Sequence, residues 1–353
     1  MTISSISTQF LGTAMIPAVT QAQSQLTTLE VESTTGQYAD LGLQLGSQSG
    51  YELSLKNQYD QMQSLTTDNA IATTNLSAAQ AALDSIRSSA QTTLGSLTTL
   101  TGVSTAASTL QTLGSTSLQA LIGSANASSG DQYVFGGINS SAAPLTSYFS
   151  TPPSSAQTAV DQAFQTFFGF TTTSPSSLVS TITPAQMQTF LTGPFAAEFS
   201  GANWSGNWSS ASSTDTSAEI APGETIATST NANQPGFPEL AQAYTMLNEF
   251  GGLGLSQSTQ QALITTASSL VSQGVSSMTT TEAQVGSSLG QITQANASMS
   301  SQMSILQTQV GNLDDVDANS VATQLNTLTT QIETAYQLTA QLQKLSLAQY
   351  LPA

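Results

Sequence analysis

Along residues 264–310 the apolar positions fall at alternating steps of four and three. Ile264, Val271, Val275, Met278, Val285, Leu289, Ile292, Met299, Met303, Leu306 and Val310 occupy eleven of the fourteen positions in that register, and Ser268, Glu282 and Asn296 fill the rest. This is the seam of a helix laid along another helix. A continuous helix of that span is about 70 Å long. Gly274, Gly286 and Gly290 sit where it could bend or let a neighbour approach closely. The opposite face is Ser, Thr, Gln, Ala and Gly, almost without charge.

The N-terminal half carries a matching arm. Leu76, Ala79, Leu83, Ile86, Ala90, Leu94 and Leu97 form one stripe. After a predicted break at Thr101-Gly102, Val103, Ala106, Leu110, Leu113 and Leu121 form another. Tyr51, Leu55, Tyr59 and Met62 make a shorter stripe before both. The extreme ends supply a second pair: Ala18, Ala22, Leu26 and Leu29, with Pro17 expected in the first turn, and Val321, Leu325, Leu328, Ile332, Ala335 and Leu342.

Between about 138 and 240 the pattern changes. Nine of twelve Phe and both Trp lie between 149 and 237, so this stretch is expected to hold an aromatic core of its own. "VDQAFQTFFGF" and "PAQMQTFL" read as short helices, while "NWSGNWSS" and "AEIAPGETIATST" read as strands about turns, with Pro222-Gly223 a strong turn signal. The predicted fold is mainly α: a long antiparallel helical hairpin, a coiled-coil rod built from both termini, with a small α/β domain inserted at its far end. The predicted segments are an N-terminal helix and connection (1–50), an N-terminal rod arm (51–137), an inserted outer domain (138–240), a C-terminal rod arm (241–310) and a C-terminal helix (311–353). The expected rod seam comprises Leu83, Ile86, Val285, Leu289, Ile292, Met299, Met303 and Leu306.

Composition narrows the function. The 353 residues contain no Cys and no His, which excludes disulfides, Cys/His metal sites and imidazole-based catalysis. Lys56, Arg87 and Lys344 are the only basic residues, against twenty acids, for a net charge of −17. No cluster exists to neutralise nucleic-acid phosphates or to anchor on anionic lipid. No apolar run approaches the roughly 18 residues of a membrane span, so no membrane insertion is expected. The first twenty residues lack a basic n-region and so do not read as a standard secretory signal.

Motifs that hint at chemistry have plainer readings. "DDVDANS" (314–320) places Asp315, Asp317 and Asn319 as an EF-hand loop would, but Ser320 and Asn326 stand where Gly and Glu belong. It reads better as a joint between helices, with Asn319 or Ser320 capping the second. Six N-x-[ST] sequons are what a Ser/Thr-rich chain yields by chance, and Asn296 on the seam reads as a register-setting buried Asn. Trp204 and Trp208 could form a sugar-stacking platform or pack the middle domain. No catalytic constellation, metal site or cofactor is expected.

Four segments carry a resemblance. "SGDQYVFGGINSSAAPL" (129–145) resembles the Y-x-F-G-G turn of bacterial flagellar hook-filament junction proteins, matched by Tyr133, Phe135, Gly136 and Gly137. "QIETAYQLTAQLQKLSLAQYL" (331–351) is similar to the C-terminal helix shared by flagellins and those junction proteins. "LEVESTTGQYADLGLQLG" (29–46) resembles the family's first connection. "ETIATSTNANQPGFPELAQAYTML" (224–247) resembles the return into the C-terminal arm in alphaproteobacterial members.

The resemblance implies a non-enzymatic structural subunit in the extracellular bacterial flagellum, an adaptor between hook and filament. It implies export unfolded through the flagellar type III apparatus with a chaperone bound near the C-terminus. Its partners would be copies of itself in a helical array, a neighbouring hook-associated protein and flagellin. Leu325, Leu328, Ile332, Tyr336, Leu342, Leu345 and Leu347 are the expected terminal-helix assembly residues. A filament flagellin is the alternative, and a secreted adhesin or glycan-binding protein a second.

Overall fold

The computed structural model describes residues 8–101, 107–174 and 176–348. The chain is mainly α and divides into two compact units, residues 1–63 with 300–353, and residues 64–299. The long helices are α1 (Thr8–Thr35), α3 (Ser49–Leu100), α11 (Gln257–Asp314) and α12 (Ala318–Ala348). A short α2 (Leu41–Leu45) and a 3-10 turn precede α3, and α4 (Ala107–Ala125) follows it. Val103 and Ala106, on the predicted second stripe, lie outside the described residues.

In the unit of residues 64–299, α3, α4, α10 (Gly236–Phe250) and α11 pack as a bundle. Every seventh residue of α11 from Ile264 to Met299 is fully covered: Ile264, Val271, Met278, Val285, Ile292 and Met299. The intervening seam residues Ser268, Val275, Glu282, Leu289 and Asn296 are only half-buried. The deep alternate row is one residue earlier and small: Ala267, Gly274, Thr281 and Ala295. Small side chains stand there because a neighbour comes too close for larger ones. A Cβ on Gly274 would lie 2.6 Å from the Leu240 side chain of α10. Leu83 and Ile86 face this core from α3.

Two of the half-buried polar seam positions, Glu282 and Asn296, are matched across the pair. Arg87 Nε donates to both carboxylate oxygens of Glu282, at 2.9 and 3.0 Å, and also pairs with Asp84. Asn69 Nδ2 donates to Asn296 Oδ1 at 2.7 Å and to the Ile220 carbonyl at 2.8 Å. As the α3 number rises from 69 to 87 the α11 number falls from 296 to 282, so the arms run antiparallel. Between two uniform Ser/Thr-rich helices, polar pairs of this kind distinguish one register from its neighbours.

α4 lies very close to α10. A Cβ on Gly114 would fall 2.3 Å from the Asn248 nitrogen and 2.7 Å from the Leu247 carbonyl carbon, both backbone atoms. Neither helix can yield by rotating a side chain. Gly114→Ala is expected to destabilise this unit by about 2–3 kcal/mol, read as a lower urea midpoint with unchanged slope.

The hairpin of β1 (Ser128–Ser129) and β2 (Gln132–Tyr133) follows α4, and the stretch beyond it contains α5 (Ser155–Phe168), α6 (Ser176–Val179), α7 (Pro184–Thr192), α8 (Pro194–Ala197) and α9 (Gly201–Asn203). The antiparallel hairpin of β3 (Ser217–Ala221) and β4 (Glu224–Ala227) follows, with Gly223 at positive φ in its turn. The expected helices over 160–170 and 184–191 and the expected hairpin are present. The expected strand at "NWSGNWSS" is not. It is α9 running into a π-helical turn, Trp204–Trp208, which brings the two indoles onto one side, stacked at 5.8 Å.

Both indoles are almost fully covered, at 4% and 1% exposure, so neither offers a sugar platform. Trp208 stacks on Tyr148 and touches Phe199, which leads through Phe195 to Phe190 and Phe164. The aromatic core is not confined to the insertion: Phe250 of α10 stacks on Phe164 at 5.4 Å.

Among the described residues, no helix is long and apolar enough to cross a membrane.

Candidate assembly interface

In the unit of residues 1–63 and 300–353, α1 packs on α12. Met15, Val19, Ala22, Leu26 and Leu29 form the covered face of α1. Val19 rather than Ala18 continues the stripe, because Ala18 is exposed. Pro17 lies inside α1, not in its first turn. It removes one N–H from the helix ladder, which the surrounding turns carry across. On α12 the covered face is Val321, Leu325, Leu328, Ile332, Ala335 and Thr339. Gln23 Nε2 donates to Tyr336 Oη at 2.6 Å across the pair. A cavity of about 190 Å³ opens between them, lined by Met15, Ala18, Val19, Ala22, Gln331, Ile332 and Ala335.

A helix pair covers one face of each member and leaves the rest in water. Large apolar groups remain there: Ile16, Val31, Tyr336 and Leu338 are each between 45% and 66% exposed. Of the expected assembly residues, Leu325 is half-buried and Leu328 and Ile332 are buried against the chain itself, while Tyr336 faces solvent. Leu342, Leu345 and Leu347 lie on α12 with side chains outside the described residues. Exposed Leu338 and Ile16 were not expected, because Leu338 breaks the α12 stripe and Ile16 precedes the α1 stripe. On the rod seam, Leu306 is buried and Met303 half-buried in this unit.

The joint after α11 is capped by Asp317, whose Oδ1 accepts from the N–H of Asn319 and of Ser320, so those two donate to the cap instead of forming it. Among the described residues no group of three or more acidic side chains is placed to hold a metal ion.

The Y-x-F-G-G turn lies in the other unit. Phe135 is fully buried, edge-on to Phe237 at 5.1 Å. Tyr133 is half-buried in β2. Gly136 and Gly137 allow close backbone passage: a Cβ on Gly136 would meet the Asn139 carbonyl at 2.6 Å, and one on Gly137, at φ 59°, the carbonyls of Ser212 and Thr214 at 2.6 Å. Ala232 N–H donates to the Phe135 carbonyl and Ser212 N–H to that of Gly136. The turn thus ties the exit from the first arm to the return from the insertion.

The titratable groups of this unit serve packing. Burial pushes the Glu249 carboxyl above the usual carboxylate range, against the bond it accepts from Tyr148 Oη at 2.9 Å, while nearby Asp161 adds repulsion. The Tyr148 phenol is pushed up by its own burial and by Glu249. Arg87 is held charged by its bonds to Glu282.

Paired terminal helices with apolar groups left on their outer faces, and a bundle carrying an insertion, define a structural subunit built to be covered by neighbours. The comparisons agree. The bacterial flagellin N-terminal helical region matches residues 6–140, and the bacterial flagellin C-terminal helical region matches residues 269–351. No curated protein matches the chain. A solved structure provisionally described as a flagellar hook-associated protein from Vibrio parahaemolyticus shares the fold, with a TM-score of 0.51 at 11% identity, over 76% of this chain and 97% of that one. The chain belongs to the flagellin superfamily and is a structural subunit of the bacterial flagellum.

Proposed function

We propose that the chain is the adaptor that joins the hook to the filament, acting without catalysis. The observation that carries this reading is the Tyr133–Gly137 turn, whose two glycines are required by backbone packing. The fold shared with the structure provisionally described as a flagellar hook-associated protein supports it. The subunit travels unfolded through the flagellar type III apparatus with a chaperone and meets hook-associated protein on one side and flagellin on the other. Its copies form a helical layer through the α1–α12 pair, because a repeated head-to-tail contact that does not close generates a helix. Leu325, Leu328 and Ile332 hold that pair together, Tyr336 faces the neighbour, and Leu342, Leu345 and Leu347 continue the same helix.

The alternative is a filament flagellin, and seeding separates the two. Added to purified hook ends, the chain is expected to stop at a short layer, seen by electron microscopy. Long filaments grown from this chain alone would overturn the junction role. Cells lacking the protein are expected to carry hooks without filaments and to leak flagellin into the medium.

A further inference from the structure

The unit of residues 1–63 and 300–353 contains two connections between helices, one after α1 and one after α11, and they are joined. Gly36 ends α1 with φ 73°, and Asp314 ends α11. Tyr38 N–H donates to the Asp314 carbonyl, and Val316 N–H to the Gly36 carbonyl, each at 2.9 Å, with Gln37 opposite Asp315. A two-bond bridge is too short to be stable alone. Its support lies in the Asp314 side chain, which is fully buried. Asp314 Oδ2 accepts from Lys56 Nζ at 2.7 Å, and Lys56 also pairs with Glu52 one turn earlier on α3. The other oxygen, Oδ1, has no hydrogen-bond partner.

A buried carboxylate bonded through one oxygen depends on its counter-ion. Lys56 and Lys344 are the only basic residues in this span of sequence. One ammonium therefore ties α3 to the residue at which α11 ends and the chain turns toward α12. Beside it a cavity of about 450 Å³ is lined by Gln37, Tyr59, Asp60 and Asp315 as well as Lys56, and among the described residues no second basic side chain lines it.

We propose that Lys56 is a positioning residue for assembly: by holding Asp314 to α3 it sets the direction in which the α1–α12 pair leaves the joint. The proposal rests on the reading that copies assemble through that pair. A subunit whose terminal pair swings freely loses ordering entropy each time it joins an array, so it adds more weakly.

The test uses the full chain and two readouts: amide hydrogen exchange at Tyr38 and Val316, and addition to seeds. Lys56→Met is expected to speed exchange at both amides about tenfold or more, to leave exchange within residues 64–299 unchanged, and to weaken addition. Lys56→Arg, which keeps the charge and a donor, is expected to restore both. Lys56→Met combined with Asp314→Asn is expected to remain loose, since the tie itself is gone. Wild-type protection in Lys56→Met would overturn the proposal. So would wild-type protection in the double variant, which would mean that Lys56 only neutralises Asp314, or normal addition by a Lys56→Met chain with a loosened joint. If the wild-type chain adds to no seed while its Lys56→Met variant still loosens the joint, the assembly reading falls and Lys56 is left as a latch.

Discussion

A chain ending at Ser320 does not assemble, yet its residues 64–299 unfold at the same temperature as in the intact protein. Both halves of that expectation follow from the packing. Deletion of residues 321–353 removes nearly all of α12, the partner of α1. Val19, Ala22, Leu26 and Leu29 then lose the face they lie against. An isolated helix rich in Ser and Thr is weak in water, and most helical stability in proteins comes from the buried face. So α1 is expected to lose its helix with α12, and the surface presented to neighbouring copies goes with both. The bundle and aromatic core of residues 64–299 contain no residue of the deleted segment. Sedimentation with seeds measures the first half and calorimetry the second. Normal assembly of the truncated chain would show that the terminal helices are not the polymerisation element.

The second large effect is at Ile292, which is 1% exposed on the α11 seam. Ile292→Asp is expected to cost about 4 kcal/mol or more, combining the lost apolar side chain with an unpaired buried carboxylate. The same change at Leu289 is the control. Leu289 is half-buried at the flank of the seam, so an aspartate there can turn its carboxylate to water and should cost about 1–2 kcal/mol. Urea unfolding followed by circular dichroism reads the difference. Equal losses at the two sites would mean that the seam does not have the alternating depth described for it.

That contrast marks how far the sequence could be read. The step of three and four located both arms of the helical pair, and every seventh residue from Ile264 to Met299 is buried as the pattern implies. The terminal stripe through Leu325, Leu328 and Ile332 was equally legible. The second row was not. The step of three and four put Val275, Glu282, Leu289 and Asn296 on that row, and they lie at the flank, while Gly274, Thr281 and Ala295, one residue earlier, lie beneath. Small residues in the deep row are the same types that cover the outer face, so composition gives no sign of which side they occupy. The two indoles failed for a related reason. Their spacing suited a strand or a helical turn, and only the rings of Tyr148 and Phe199 decide where they stack.

By itself, then, the sequence determined a mainly α chain with matched helical ends, because apolar periodicity is a local property that survives in any order of packing. It also determined that partners could not be held through a basic surface, because charge is a count. Which rows lie deepest, which polar pairs set the register, and that Lys56 meets Asp314 were decided by the tertiary structure alone. Those facts depend on how closely a third and fourth helix approach, and residues 258 positions apart share no local pattern.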